Sequence, residues 1–428
     1  MLAFPQPRQQ LGQTDRWVVN YLTLAACLFV SGYLATHFSN YGDYFTQATV
    51  AILAFIVMVK ALAVPSVRSA HAERGMIFLG LMLVVALVNI LASWSKLESA
   101  LRWVLWFGMV LCLCRVTANT TGAWVEVVIR RLPFLFFIIY ISIITMARFT
   151  DAEGAYTAFH LSGLYGNLIL ATGLFANKTW QRIMWSVVGL LGVYYSGAGG
   201  ALFSVPIMFV PYILYSASSM PVKGFMVVGI LAVGGLFFFE SQLFSSFLDI
   251  KANTGSTYGG IARLEKSKEM RLELVQYGLL LVRQYPMGTG LGHTYYDNMK
   301  LNAGVGHAHN GTISMLIELG IPGFAIVASL MMWMFICILR NKSVGSEVRA
   351  FYFTYFFTIF GRSLSENYTP LDLGNYFNYI FLIFSGYLFL NQKLQLPSVP
   401  RFMQPRGRMM MRPGSRPPPP MPRPVGVR

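Results

Sequence analysis

Acidic residues are scarce in this chain: 17 Asp and Glu stand against 33 Lys and Arg in 428 residues, and charged residues together make up only 12%. A soluble globule of this length carries about a quarter of its residues as charges, so the chain lacks the polar surface that water alone would require. Cysteine is nearly missing as well. Cys27, Cys112, Cys114 and Cys337 all fall in apolar stretches, where a thiol behaves as a small hydrophobe; neither disulfide nor redox chemistry is expected of them. Acids inside the apolar stretches are rarer still, with Glu318 almost alone, and the two halves show no inverted repeat. Both absences weigh against a proton-coupled transporter, a class that also uses many spans and a basic cavity. No cleavable leader precedes the first apolar stretch, which is expected to stay as an anchor.

What is present in abundance is hydrocarbon: 55% of residues are hydrophobic. A bilayer core of ~30 Å takes roughly 20 apolar residues per helix, and about 12 such windows recur along the chain. The expected fold is therefore an all-α, polytopic transmembrane helical bundle. Spans are expected at 17–37, 45–64, 75–94, 100–116, 132–147, 161–177, 183–197, 201–216, 223–242, 310–339, 348–363 and 373–390. The domain plan follows: residues 1–16 as a cytoplasmic N-terminus, 17–242 as spans one to nine, 243–308 as a large periplasmic loop, 309–390 as spans ten to twelve, and 391–428 as a basic tail. With the N-terminus inside, 22 of the 33 basic residues fall on the cytoplasmic side, as Lys and Arg retention there requires. The net charge of +16 is then an anchor against anionic lipid, and nucleic acid is not needed as a partner. Residues 396–428, rich in Pro, Arg and Met and without an acid, cannot build a core and read as disordered.

Polar groups collect on the expected outer side, between residues 243 and 308 and at the start of span ten. Ile261 to Pro286 reads as a helix with a charged first half, including Arg263 and Arg271, and an apolar second half from Leu274 to Val282, a pattern for an interfacial helix. Pro286-Met-Gly288-Thr-Gly290-Leu-Gly292 follows. Its glycines permit turns that aim successive N–H groups at an anion such as phosphate, or they form a flexible turn that ends the helix. Then comes His307-Ala-His309-Asn310, opening an apolar span that contains Glu318, Gly320, Pro322 and Gly323. At 100° per residue Gly320 and Gly323 share a face with His309, and small residues there let a second helix approach closely. Glu318 falls on the opposite face and needs a partner helix or a proton. His309, in the first helical turn, feels the positive end of the macrodipole, which disfavours imidazolium and leaves a neutral ring able to act as a base. The bland alternative is a histidine that merely caps the helix.

His309-Asn310, nine residues and then Gly320-Ile-Pro-Gly323 resembles the H-N-x9-G-x-x-G signature of the O-antigen ligase and polymerase family. The order Arg271-Leu-Glu-Leu-Val, then Pro286 to Gly292, then His309 is similar to the same family's outer loop, and the likeness by motif covers about residues 260–325. It implies a membrane-embedded glycosyltransferase of the GT-C type in the bacterial inner membrane, acting on the periplasmic side. Its donor would be O-antigen on undecaprenyl diphosphate and its acceptor lipid A-core, for lipopolysaccharide assembly, with inversion at the anomeric carbon and without a metal or cofactor. His309 would take the acceptor hydroxyl proton. Arg271, and after it Arg263, would neutralise the departing diphosphate through paired hydrogen bonds. Asn310, Gly288, Gly290, Gly320 and Gly323 would support the site. The family often carries a Ser-Arg pair near the outer end of the seventh span, whereas Ser196 is followed here by Gly197-Ala-Gly-Gly; Arg148, at the expected outer end of span five, could substitute.

Rival chemistries have thinner support. Asp151-Ala-Glu153 has the spacing of an acidic metal pair, and His293, His307 and His309 could be read as zinc ligands. An O-antigen polymerase differs from a ligase only in its acceptor, a second lipid-linked repeat, and the motif does not separate the two.

Overall fold

The computed structural model describes residues 11–38, 42–64, 108–147 apart from 110, 152–196, 199–216, 274–289, 310–341, 345–364 and 376–390, with isolated positions at 77–88 and at 224. Among them every regular element is a helix. In chain order these are α1 (Gln13–Phe38), α2 (Gly42–Ala63), α3 (111–117), α4 (Ala123–Ala147), α5 (Ala152–Gly173), α6 (Thr179–Ser196), α7 (Gly199–Tyr215), α8 (274–284), α9 (Gly311–Arg340), α10 (Ser346–Ser363) and α11 (Tyr376–Leu390). The chain divides into a unit Met1–Asn391 and a unit Gln392–Arg428. The second, with its expected disorder, lies outside the described residues, as does most of the expected ninth span.

Among the described residues three helices are long and apolar enough to cross a membrane: Gln13–Leu34, Ala123–Thr145 and Gly311–Arg340. Ala48–Ala63, Ser204–Tyr215 and Tyr376–Leu388 are apolar but shorter. Outward faces carry hydrocarbon rather than charge, as on α2, where Phe55 and Leu62 are exposed, and on α6, where Ile183, Val187 and Leu191 are. A helix that is apolar on its outer face as well as its inner one is solvated by lipid, and the chain is a helical membrane protein.

Helix starts differ from expectation where the first turns are polar. α4 begins nine residues before position 132, because Glu126 and Arg130 pair one turn apart on its surface and Pro133 is accommodated inside the helix. α5 begins at Ala152, which puts Glu153 on its first turn instead of in a loop. The expected short pair 183–197 and 201–216 is indeed two helices, α6 and α7.

The core is aromatic. α10 reads Phe351-Tyr-Phe-Thr-Tyr355 and α11 Tyr376-Phe-Asn-Tyr379, and nearly all of these side chains are buried. Tyr355 donates to the Phe377 carbonyl (2.8 Å) and Tyr352 shares a hydrogen bond with Ser385 (2.9 Å), so the two helices run antiparallel. α5 packs between α4 and α6 and also touches α10. Its approach to α6 depends on Gly166 and Gly189: a Cβ on either would stand 2.8 Å from the Val193 nitrogen or 2.6 Å from the Leu170 nitrogen. Bare backbones at that distance maximise dispersion where no hydrophobic effect separates helix from lipid.

One end of the bundle is tied by Asp15, which is buried at the start of α1. Its carboxylate accepts from Thr121 Oγ1 (2.9 Å), the Thr121 amide (3.3 Å) and the Trp124 amide (3.4 Å), capping α4 from another helix. At the far end of α9, Asn341 Nδ2 donates to the Leu388 carbonyl (3.3 Å).

Candidate active site

The N-terminus of α9 begins with Asn310 in extended conformation, its Oδ1 accepting from the Ile313 amide at 3.0 Å. This is an N-cap, which satisfies one of the helix's first amides. The same side chain donates from Nδ2 to the Leu364 carbonyl (3.1 Å), just past the end of α10. Asn310 therefore joins two helix ends. His309, expected in the first turn, is the residue before this cap in the sequence and lies outside the described residues.

α8 seats on the first half of α9. Leu274, Leu281 and Val282 bury against Ile317, with Tyr277, Ile313 and Leu316 around them, in a cluster separate from the main core. Leu274, Tyr277 and Leu281 recur at three and four residues, one stripe of a helix. The apolar second half of the expected 261–286 helix is thus a helix; its charged first half, with Arg263 and Arg271, lies outside the described residues.

After α8 the chain turns at Tyr285–Gly288, where the Gly288 amide donates to the Tyr285 carbonyl (2.9 Å), and then runs into a break in α9. That break is at Gly320, whose φ of 68° and ψ of −178° lie in a region open essentially to glycine alone. In an unbroken helix the Ile321 amide would donate to the Ile317 carbonyl. Here both groups turn to residues 286–289: Ile321 N–H donates to the Pro286 carbonyl (2.9 Å), and the Ile317 carbonyl accepts from the Thr289 amide (2.8 Å) and its hydroxyl (3.2 Å). Pro322 has no N–H to offer the Glu318 carbonyl, so the sequence itself opens the helix at this point. The two backbones touch. A Cβ on Gly288, itself at φ 95°, would stand 2.4 Å from the Glu318 oxygen, and one on Gly320 would stand 2.3 Å from the Met287 carbonyl carbon.

This arrangement corrects two expectations. The face expected to run from His309 through Gly320 to Gly323 does not exist on one continuous helix, because α9 is two helices joined at Gly320. What Gly320 admits is the turn at 286–289, not another helix. The amides of Gly288 and Thr289 are both engaged inside the protein, so they are not offered to an anion; Gly290 and Gly292 lie outside the described residues. Gly323 is buried in the second half of α9.

The match to known families falls on this region. Residues 184–328 match the family model described as O-antigen ligase. That stretch is similar to the O-antigen ligase family. It begins in α6, includes α7 and α8, and ends in α9 just beyond the Gly320 break, so the segment similar to O-antigen ligases contains the Gly288–Gly320 lock, Asn310 and the positions of His309, Arg263 and Arg271. No curated protein matches the sequence significantly. Arg148 lies outside both the matched stretch and the described residues, and Ser196 is buried at the end of α6, its hydroxyl donating to the Val193 carbonyl (2.6 Å). Of the metal readings, Asp151, His293, His307 and His309 also fall outside the described residues.

Sequence reasoning passed over Arg362. It falls inside the expected span 348–363, in the last turn of α10, with no exposed surface. A cation in an otherwise aromatic span was the available signal.

Proposed function

We propose that the chain is an inverting, metal-independent glycosyltransferase that moves O-antigen polysaccharide from undecaprenyl diphosphate to lipid A-core. It would work at the periplasmic face of the bacterial inner membrane, in a bundle of about 12 spans. The observation that carries this reading is the O-antigen ligase match over residues 184–328, which includes the segments joined at Gly288 and Gly320.

In this reading His309 stands next to the first amides of α9, whose partial positive charge favours a neutral ring. The ring accepts the proton of an acceptor sugar hydroxyl as that oxygen attacks the anomeric carbon. The bond from that carbon to the diphosphate breaks on the opposite face and the configuration inverts. Both electrons leave with undecaprenyl diphosphate, and Arg271, Arg263 and Arg148 are the guanidinium groups assigned to that charge. Gly288, Gly290, Gly320, Gly323 and Asn310 hold the backbone around it.

Complementation tests the reading. A bacterium lacking the gene should make bare core while long polymer accumulates on carrier lipid, and the gene should restore capped core. Core carrying a single repeat would assign the chain to the polymerases instead. Full activity in excess chelator is expected; its loss, restored by a divalent ion, would replace the arginine account of leaving-group stabilisation.

A further inference from the structure

Along the outer side of α1 the chemistry changes. Gln13, Arg16, Asn20, Leu24 and Cys27 are exposed at intervals of three and four residues, one stripe of a helix. The stripe is polar and cationic as far as Asn20 and apolar at Leu24 and Cys27. On the neighbouring α2, Lys60 stands in the last turn, with Phe55, Met58, Val59 and Leu62 exposed around it. A change from charge to hydrocarbon on two adjacent helices marks where lipid headgroups give way to acyl chains.

Where the two helices meet at this end the surface is concave. A cleft of about 420 Å³ is lined by Gln13, Arg16, Trp17 and Asn20 of α1 and by Lys60 of α2. Its walls are held in place. Tyr21 donates to the Leu53 carbonyl of α2 (3.4 Å), Trp17 lies flat on Tyr21 with ring centroids 5.0 Å apart, and Arg16 Nε donates to the Leu11 carbonyl (3.0 Å). The protein gives the two cations no counter-charge: among the described residues neither Arg16 nor Lys60 has an ion-pair partner. Asp15, next to Arg16 in sequence, is buried and turned to Thr121 and Trp124. Between Met1 and Ala72 the only other acid is Asp43, at the start of α2 and so about 25 Å along that helix from Lys60.

We propose that this cleft binds the headgroup of one anionic phospholipid. Arg16 and Lys60 hold the phosphate oxygens, Gln13 and Asn20 supply neutral hydrogen bonds, Trp17 marks the interface, and the acyl chains follow the exposed apolar side chains of α1 and α2. The site is remote from the candidate active site. α4 starts at this end, capped by Asp15, and α11 finishes here, with Tyr387 packed on Trp124 at 5.4 Å between centroids. α10 runs antiparallel to α11 and therefore finishes at the other end, where Asn310 holds it. A lipid in the cleft steadies the start of α1, and with it the carboxylate that caps α4, so occupancy favours the folded bundle.

The test uses the full chain in detergent micelles, titrated with phosphatidylglycerol, phosphatidylcholine or inorganic phosphate and followed by melting and by native mass spectrometry. Phosphatidylglycerol should raise the melting temperature saturably and stay bound as a single molecule per chain, while the other two should do neither. Arg16→Gln should raise the half-saturating concentration about tenfold and Lys60→Gln about fivefold. Arg131→Gln, which removes an exposed cation from α4 at the same end, should leave it unchanged. Equal weakening by all three substitutions would reduce the effect to a general surface field and overturn the site, as would equal stabilisation by phosphatidylcholine. Inorganic phosphate that stabilises as well as the lipid does would overturn the lipid assignment. Should the Arg16 variant not fold, the wild-type chain still decides: phosphatidylglycerol, but not phosphatidylcholine, should slow hydrogen exchange at the start of α1 and the end of α2. Equal protection by both lipids, or by neither, would refute the proposal.

Discussion

The two ends of the bundle solve the same problem, how to satisfy polar groups away from water, in opposite ways. At the Asp15 end a side chain supplies the acceptor: one carboxylate caps α4 through three hydrogen bonds, around a turn at Gly122 (φ 86°) that precedes the helix and leaves the helix itself unbroken. At the start of α9 the backbone does it. A helix is opened at Gly320 and the carbonyl and amide so released are taken by residues 286–289. A side-chain cap tolerates repair by another polar residue, whereas a backbone lock between two positive-φ glycines tolerates no side chain. The Asp15 end is built for stability. The α9 end joins the segment bearing the candidate arginines to the helix bearing the candidate base, which is a positioning arrangement.

Breaking the lock should have the largest effect. Gly320→Ala adds strain of about 1–3 kcal/mol from φ alone and a further cost from the contact with Met287, so glycan transfer and accumulation in the membrane should both collapse. Gly288→Ala should do the same, and either variant melting like the wild type would show that the two segments are not joined. Asp15→Ala comes next, leaving three donors without their acceptor at about 2–3 kcal/mol in all. Melting should fall while transfer per folded molecule is unchanged, and a parallel loss of activity would erase the distinction between the ends.

Smaller effects sharpen the comparison. Asn310→Ala should lower stability by about 1 kcal/mol for the lost cap, and Asn310→Asp, which keeps the accepting oxygen but cannot donate to Leu364, should recover most of that. Recovery of stability without recovery of transfer would locate the α9–α10 tie in function. Glu126→Gln, which breaks the exposed pair with Arg130, should change melting by no more than about 0.5 kcal/mol.

Much of this was legible in the sequence, for reasons that are local. Long apolar runs with polar breaks predict α1, α2, α6, α7, α9, α10 and α11 to within a few residues, because lipid demands continuous hydrocarbon. The start of α4 was missed because its first turns are polar. The capping role of Asn310 is visible in its residue type; that it also binds the end of α10 is not, since Leu364 is 54 residues away. Gly320, Pro322 and Gly323 signalled a break, yet arithmetic at 100° per residue treats them as helix. The segment that fills the break comes from residues 286–289, and no periodicity in α9 encodes it. Burial of Arg362 likewise depends on what packs against the end of α10, which the local sequence does not encode.

The most direct measurement is glycan transfer by the purified His309→Ala variant, supplied with undecaprenyl-diphosphate-linked O-antigen and lipid A-core, beside a melting curve. Removal of a general base should slow transfer by about 100-fold or more with melting unaltered, because the α9 cap is Asn310 and stays in place. Transfer at the wild-type rate would contradict the role given to the mouth of α9, and with it the account of why the glycine lock is there.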